Sequence, residues 1–334
     1  MPRRLQVNLD HLVAKAEGTP GTAESLAAAD NDVRLRDIVL TMDIGVDNET
    51  NKNATGDHTG DQSIIGATSG SLSFWHWVVW GGAVTTEPNW WKLQYGCGCV
   101  KTTHGATGIS LFPEKSADRE SMTMNGYWVQ RGGTPSALTL KFAGCMGNCI
   151  LTSEGIGMPW RANYNFQGKF LGTEDTAYGS LLAQTGLDTT QAEKLLANTF
   201  SVGGTNMSIS KFALDYGNVI EAIDDQSDAT GIEYFGISRR EPKMSVDPMA
   251  QLVAEDDVFG IVTNQTLGAL SLTSGNPTGN CSILAPRAQL LPPGISARNG
   301  SRVFDKTYRL LQNTAGANVV EKERAWQFLQ GATA

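Results

Sequence analysis

With 334 residues the chain exceeds one ordinary small domain and leaves room for one large or two medium β or mixed domains. Its 26 basic and 34 acidic side chains leave a net charge of −8, which argues against a broad basic face gripping nucleic-acid phosphates. The longest apolar stretch, 74–84, is broken by His76 and two glycines and falls short of the roughly 20 residues of a membrane-spanning helix, so no span is expected.

The first residues are basic but lack the apolar core and small-residue cleavage site of a secretion signal, and an odd count of five cysteines does not suggest a disulfide framework. Synthesis in a reducing cytoplasm is expected. Residues 1–32 read as an extended arm around the turn Gly18-Thr19-Pro20-Gly21, whose residue types favour turns over helix. From Val33 to Met42 the pattern has period 2, so strands begin there. Residues 47–61, rich in Asn, Asp, Gly and Thr, are expected to form a long polar loop or hairpin tip. A strand resumes at 69–77, and 88–96 reads as a short helix with proline in its first turn and glycine at its end. Further strands are expected at 121–130, 137–143, 148–152 and 162–171, separated by glycine-bearing turns, the texture of an antiparallel sandwich or barrel.

Residues 173–202 read as a linker with one or two helical turns, near 181–183 and 191–197. The order of elements then restarts: a strand at 207–216, an acidic loop at 221–231, a strand at 243–247, and a Pro-led helix at 248–255. Gly279-Asn280-Cys281 echoes Gly147-Asn148-Cys149, and the strand around Phe304 echoes the one around Phe166. The repeated order carries more weight than the tripeptide, because a long chain repeats short strings by chance.

Cys97-Gly98-Cys99 and Cys145 with Cys149 supply four thiols, but their spacings fit zinc pairing poorly, and small apolar cysteines filling strand and turn positions is the simpler reading. The four histidines form no metal pair and flank no nucleophile motif. No nucleophile elbow, phosphate-binding loop or dinucleotide fingerprint occurs. The acidic pairs Asp224-Asp225 and Glu255 to Asp257 are neighbours in the chain, unlike glycosidase acids facing each other across a cleft, and read as solvated faces. An enzyme is disfavoured, and no cofactor or metal is expected. Trp75, Trp77, Trp80, Trp90 and Trp91 lie close together. They read first as core or subunit interface, and second as a carbohydrate-binding platform on a β-sandwich.

Three stretches carry a family resemblance: the arm 12–24 with 34–40; the block from Gly144-Cys145-Met146-Gly147-Asn148-Cys149 to Phe170; and, in the second half, 202–204, 209–219 and 237–243. Together they resemble the tail tube (major tail) proteins of long-tailed bacteriophages. The resemblance implies a mainly β fold, a β-sandwich or barrel with a short flanking helix, whose copies form rings that stack into a tube conducting double-stranded DNA from capsid to host. With the internal echo it implies two tandem tail-tube-type domains, 33–172 and 203–334, so three chains would make a pseudo-hexameric ring where most members use a hexamer. The expected partners are further copies of the chain, other phage tail proteins, and DNA that passes without specific binding; the expected location is the virion tail. A tube terminator or baseplate component is the alternative within the same class. Inter-ring or inter-subunit contacts are expected at the arm residues Lys15, Glu17, Thr19 and Pro20. Others are expected at the first loop residues Asp47, Glu49, Lys52, Asp57 and Asp61, and at the second loop residues Asp224, Asp225 and Asp228.

Overall fold

The computed structural model describes residues 5–47, 64–117, 120–130, 136–177, 192–274, 281–314 and 324–331. The protein is mainly β, with two short α-helices among the described residues. Its N-terminal half contains β1 (Leu5–Ala16), β2 (Arg36–Asp47), β3 (Ile64–Trp77), α1 (Trp91–Tyr95), β4 (Cys99–Thr103), β5 (Gly108–Pro113), β6 (Met122–Gln130), β7 (Ser136–Ser153) and β8 (Arg161–Ala177). Six of these strands pair antiparallel in the order β2-β3-β8-β7-β6-β1. The strand read from Val33 is β2, which starts only at Arg36, and the in–out alternation is plainest in β3, where Leu72, Phe74 and His76 face the core while Ser71, Ser73, Trp75 and Trp77 face outward.

The C-terminal half contains β9 (Thr199–Val202), β10 (Thr205–Met207), β11 (Phe212–Asp215), β12 (Asn218–Asp224), β13 (Ile232–Arg240) and β14 (Lys243–Val246). It continues with α2 (Val258–Thr263), β15 (Leu267–Thr273), β16 (Cys281–Leu290), β17 (Gly294–Arg298), β18 (Ser301–Leu310) and β19 (Gln327–Gly331). Here too six strands pair antiparallel, in the order β11-β14-β18-β16-β15-β9. Taken in chain order, β1, β2, β3, β6, β7 and β8 occupy the same places as β9, β11, β14, β15, β16 and β18. A short helix follows the third strand in each series.

The two series meet edge to edge. Residues Ile150 to Ser153 at the end of β7 pair antiparallel with all of β11, and β19 bridges β16 to β5. Among the described residues one 17-stranded sheet results, with β12 and β13 as a separate two-stranded hairpin. A single apolar cluster draws buried side chains from both halves. Phe328 of β19 meets Trp90 and Trp91 edge-on at 5.6 and 6.1 Å, and Trp160 meets Phe212 edge-on at 4.9 Å.

Several expectations are corrected. The described part of 1–32 is no uncored arm: β1 lies along β6, and Leu12, Val13 and Ala14 are buried, because both faces of β1 meet apolar partners, Leu12 and Ala14 in the main core and Val13 with Tyr127, Val129, Ala137 and Leu26. The linker 173–202 supplies sheet at both ends, as β8 runs to Ala177 and β9 starts at Thr199. Its first helical turn, near 181–183, lies outside the described residues. In place of the second, Ala192 and Lys194 make isolated bridges to Val79 and Pro159. The helix expected at 248–255 forms at Val258–Thr263 instead, where the Asp257 side chain accepts a hydrogen bond from Gly260 N–H and caps it. Pro248 O accepts from Phe304 N–H, so the proline segment serves as sheet edge. The strands expected at 137–143 and 148–152 are one strand, β7, with an irregular register against β8 between Ala143 and Met146. The tripeptide echo is positional chance, since Cys149 lies in the second half of β7 and Cys281 is the first residue of β16.

Candidate assembly surfaces

The seam between the halves carries a network of polar contacts. Each half has a long hairpin, β2 with β3 in the first and β11–β12 with β13–β14 in the second. The second hairpin breaks at Gly217 (φ +64°), where a Cβ would lie 2.2 Å from Glu241 O, so only glycine permits the two strands to stay this close while the chain turns. Beyond the break, β12 and β13 fold across the first half. Ile232, Phe235 and Ile237 are buried there against Met146 of β7, with Ile220 beside them.

Asparagines line the break. Asn148 of β7 donates from Nδ2 to Asp215 Oδ1 at 2.8 Å and accepts at Oδ1 from Asn218 N–H at 3.0 Å. Asn218 Nδ2 donates to Cys97 O at 2.8 Å and Gly147 O at 2.9 Å, and Arg240 Nη2 donates to Gly98 O at 2.9 Å. At the hairpin tip Lys169 Nζ donates to Asp228 Oδ2 at 2.7 Å. Burial alone raises the Asp228 carboxyl, but hydrogen bonds from Lys169 and Thr230 outweigh it and hold it at about 2. These bonds satisfy the polar groups that the crossing hairpin removes from water.

The predicted contact residues divide between this seam, the open surface and the undescribed loop. Glu17 is committed inside the chain: Oε1 accepts from Thr123 Oγ1 and Gly144 N–H, both at 2.9 Å, and Oε2 accepts from Gly21 N–H at 2.8 Å and Ser121 Oγ at 2.5 Å. Its turn is wedged against β13, and a Cβ on Gly21 (φ +76°) would meet Glu233 O at 2.0 Å. Lys15 likewise turns inward, to Ser25 O at 3.1 Å and Glu24 at 3.5 Å. Thr19 is exposed and Pro20 half-buried. Asp47 closes β2, while Glu49, Lys52, Asp57 and Asp61 lie outside the described residues. The acidic segment 221–231 is not all loop, since Glu221 to Asp224 belong to β12. Asp224 is exposed, whereas Asp225 holds the tip turn by accepting from Ser227 N–H and Oγ at 2.8 and 2.7 Å. Those two bonds lower its pKa.

The tryptophans separate by face. Trp80, Trp90 and Trp91 are buried in the core, while Trp75 and Trp77 stand half-exposed on the outer face of β3. Arg161 lies 4.1 Å over the Trp75 ring, Arg36 lies 5.4 and 6.0 Å over Trp75 and Trp77, and Trp75 Nε1 donates to Asp37 at 2.6 Å. Sequence reasoning missed this outward patch because the pairing that assembles it, Arg36 opposite Trp75 and Trp77 opposite Arg161, joins residues far apart in the chain. All five cysteines are buried, and none forms a disulfide. Burial drives the Cys97 and Cys145 thiols well above their ordinary range and pushes Cys149 up to about 12. Among the described residues no three His, Cys, Asp or Glu side chains gather as metal ligands, and no helix is long and apolar enough to cross a membrane. No protein-family model and no curated protein matches the sequence.

Proposed function

We propose that the chain is a structural subunit of a bacteriophage tail tube, built from two tandem tube-type units, that closes into rings around a channel and stacks as rings into a conduit for DNA. One observation carries the reading: the same six-strand order occurs twice. A chain with two equivalent units and a seam between them can repeat that seam between chains, and closure of such a series generates a ring. Three chains would present six equivalent sheets.

The net charge of −8 suits a wall that DNA slides past, because a basic wall would exchange counterions for phosphates and retain the duplex. The role is architectural, with no catalytic step assigned, and it places the chain in the virion tail beside other tail proteins. Electron microscopy of the purified protein tests it. Stacked rings with a smallest ring of three times 35.8 kDa are expected. Single rings that never stack would favour a tube terminator or baseplate component, and a monomer at every concentration would overturn both readings.

A further inference from the structure

The seam inside the chain has two halves, an outer strand edge of the first unit and the leading strand of the second unit. The outer edge belongs to the end of β7, and the leading strand is β11. Each has a counterpart. In the second unit the chain leaves β16 through Pro292 and Pro293 and continues as β17 along the same edge of β18, so β17 extends the strand that corresponds to β7. In the first unit β2 corresponds to β11, as each pairs with the strand leading to its unit's short helix. Among the described residues β17 pairs with β18 alone, and β2 with β3 alone. One edge of each therefore carries a row of unpaired backbone groups, a template for another strand.

The side chains beside these two edges have interface character. Ile295, the second residue of β17, is 59% exposed, and Val39 of β2 is 57% exposed. Beside the base of β2 stand Trp75 and Trp77 with Arg36 and Arg161 over their rings, and tryptophan with arginine is the composition of interface anchors. A pocket of about 160 Å³ opens there, between Arg34, Arg36, Trp77 and Val79. At the internal seam the corresponding place is filled: Trp160, from the turn after β7, packs on Phe212, the first residue of β11.

We infer that β17 of one chain pairs antiparallel with the open edge of β2 in a second copy of the chain, with Ile295 seated against the Arg36, Trp75 and Trp77 patch. This rests on the ring-forming reading above and specifies which edges make the ring. The contact is heterologous, since each chain offers one β17 and one β2, so it propagates in one direction until the ring closes. The occupant is a second copy because the same chain already joins the corresponding edges within itself.

Disulfide trapping on the full chain tests the inference. The native cysteines are all buried, so introduced exposed thiols report selectively. The double variant Ile295→Cys with Val39→Cys, and separately Ile295→Cys with Asp37→Cys to allow for register toward the patch, is oxidised under assembly conditions and run on a denaturing gel. At least one pair is expected to give a ladder of linked chains that stops at the closed ring, while Ile295→Cys with Leu252→Cys, exposed on the segment that follows the opposite edge of β18, gives no ladder. Ile295→Lys is expected to raise the concentration needed for assembly by about tenfold without changing the melting curve of the unassembled chain. Rings of native mass with no ladder from either pair, or with assembly unaffected by Ile295→Lys, would overturn the edge assignment and leave the tube reading standing. Absence of any ring from the unmodified protein would overturn both.

Discussion

The hairpins of the two halves start from the same place in the same strand order and end in opposite environments. The hairpin of β12 and β13 lies across β7 and β8, with Ile232, Phe235 and Ile237 buried, whereas that of β2 and β3 leaves Val39, Met42 and Ile44 40% or more exposed. The base of each hairpin shows a related contrast. Arg161, opposite Trp77, is a half-exposed cation over an indole; Lys306, opposite Val246, is fully buried and bonds Asp256 at 2.5 Å. Equivalent positions thus carry the same charge for different reasons, one held inside the fold and one presented at its edge.

That contrast is open to direct attack. Lys306→Met leaves Asp256 buried without its partner and is expected to cost about 3–5 kcal/mol, while Arg161→Met is expected to cost under about 1 kcal/mol. Chemical denaturation of the two variants measures the difference, and equal losses would erase it. Phe235→Ala, which empties the buried face of the covered hairpin, is expected to destabilise by about 3 kcal/mol, readable as a lower denaturation midpoint.

A third test uses acid. His76 is buried against the Trp77 carbonyl, to which Nδ1 donates at 2.8 Å, leaving Nε2 to accept from Tyr164 OH at 3.0 Å. Burial lowers its pKa from 6.5 to about 4, against the weaker opposing effect of the Trp77 bond. The unfolded chain therefore binds a proton more readily than the folded one, so the stability is complete above pH 6.5 and is lost as pH falls toward 4. A loss of about 3 kcal/mol across that window is expected, and His76→Gln should flatten it. Asp228 acts lower, between about 4 and its folded value of about 2, where protonation releases the covered hairpin from Lys169. The smallest expected effect is that of Val39→Ser, within about 0.5 kcal/mol for the unassembled chain, because its side chain is already in water. The corresponding change Ile237→Ser, on the covered hairpin, should cost several times as much.

Much of the β architecture was legible because its signals are local. The strand-like run at 69–77 announced β3, Pro88 with Gly96 bracketed α1, and glycine-bearing turns separated the later strands. The restart of element order rests in the sequence partly on a helix at 248–255 and on the Gly-Asn-Cys echo, neither of which the structure keeps. What was missed shares one cause. The commitment of Glu17 to Ser121, Thr123 and Gly144 depends on residues more than a hundred positions away. So does the pairing of β19 with β5, and no local propensity encodes either.

The covering of one hairpin and the exposure of the other were illegible for the same reason. Ile237 and Val39 are both apolar residues on strands, and only the fold back at Gly217 decides that one meets Met146 while the other meets solvent. The sequence by itself determined the composition of the elements, their order and the acidic, turn-rich character of the chain, since these follow from residue types within a few positions of one another. Tertiary structure decided which edges are spent inside the chain and which stay open, because backbone pairing at a strand edge uses groups that every residue but proline carries alike.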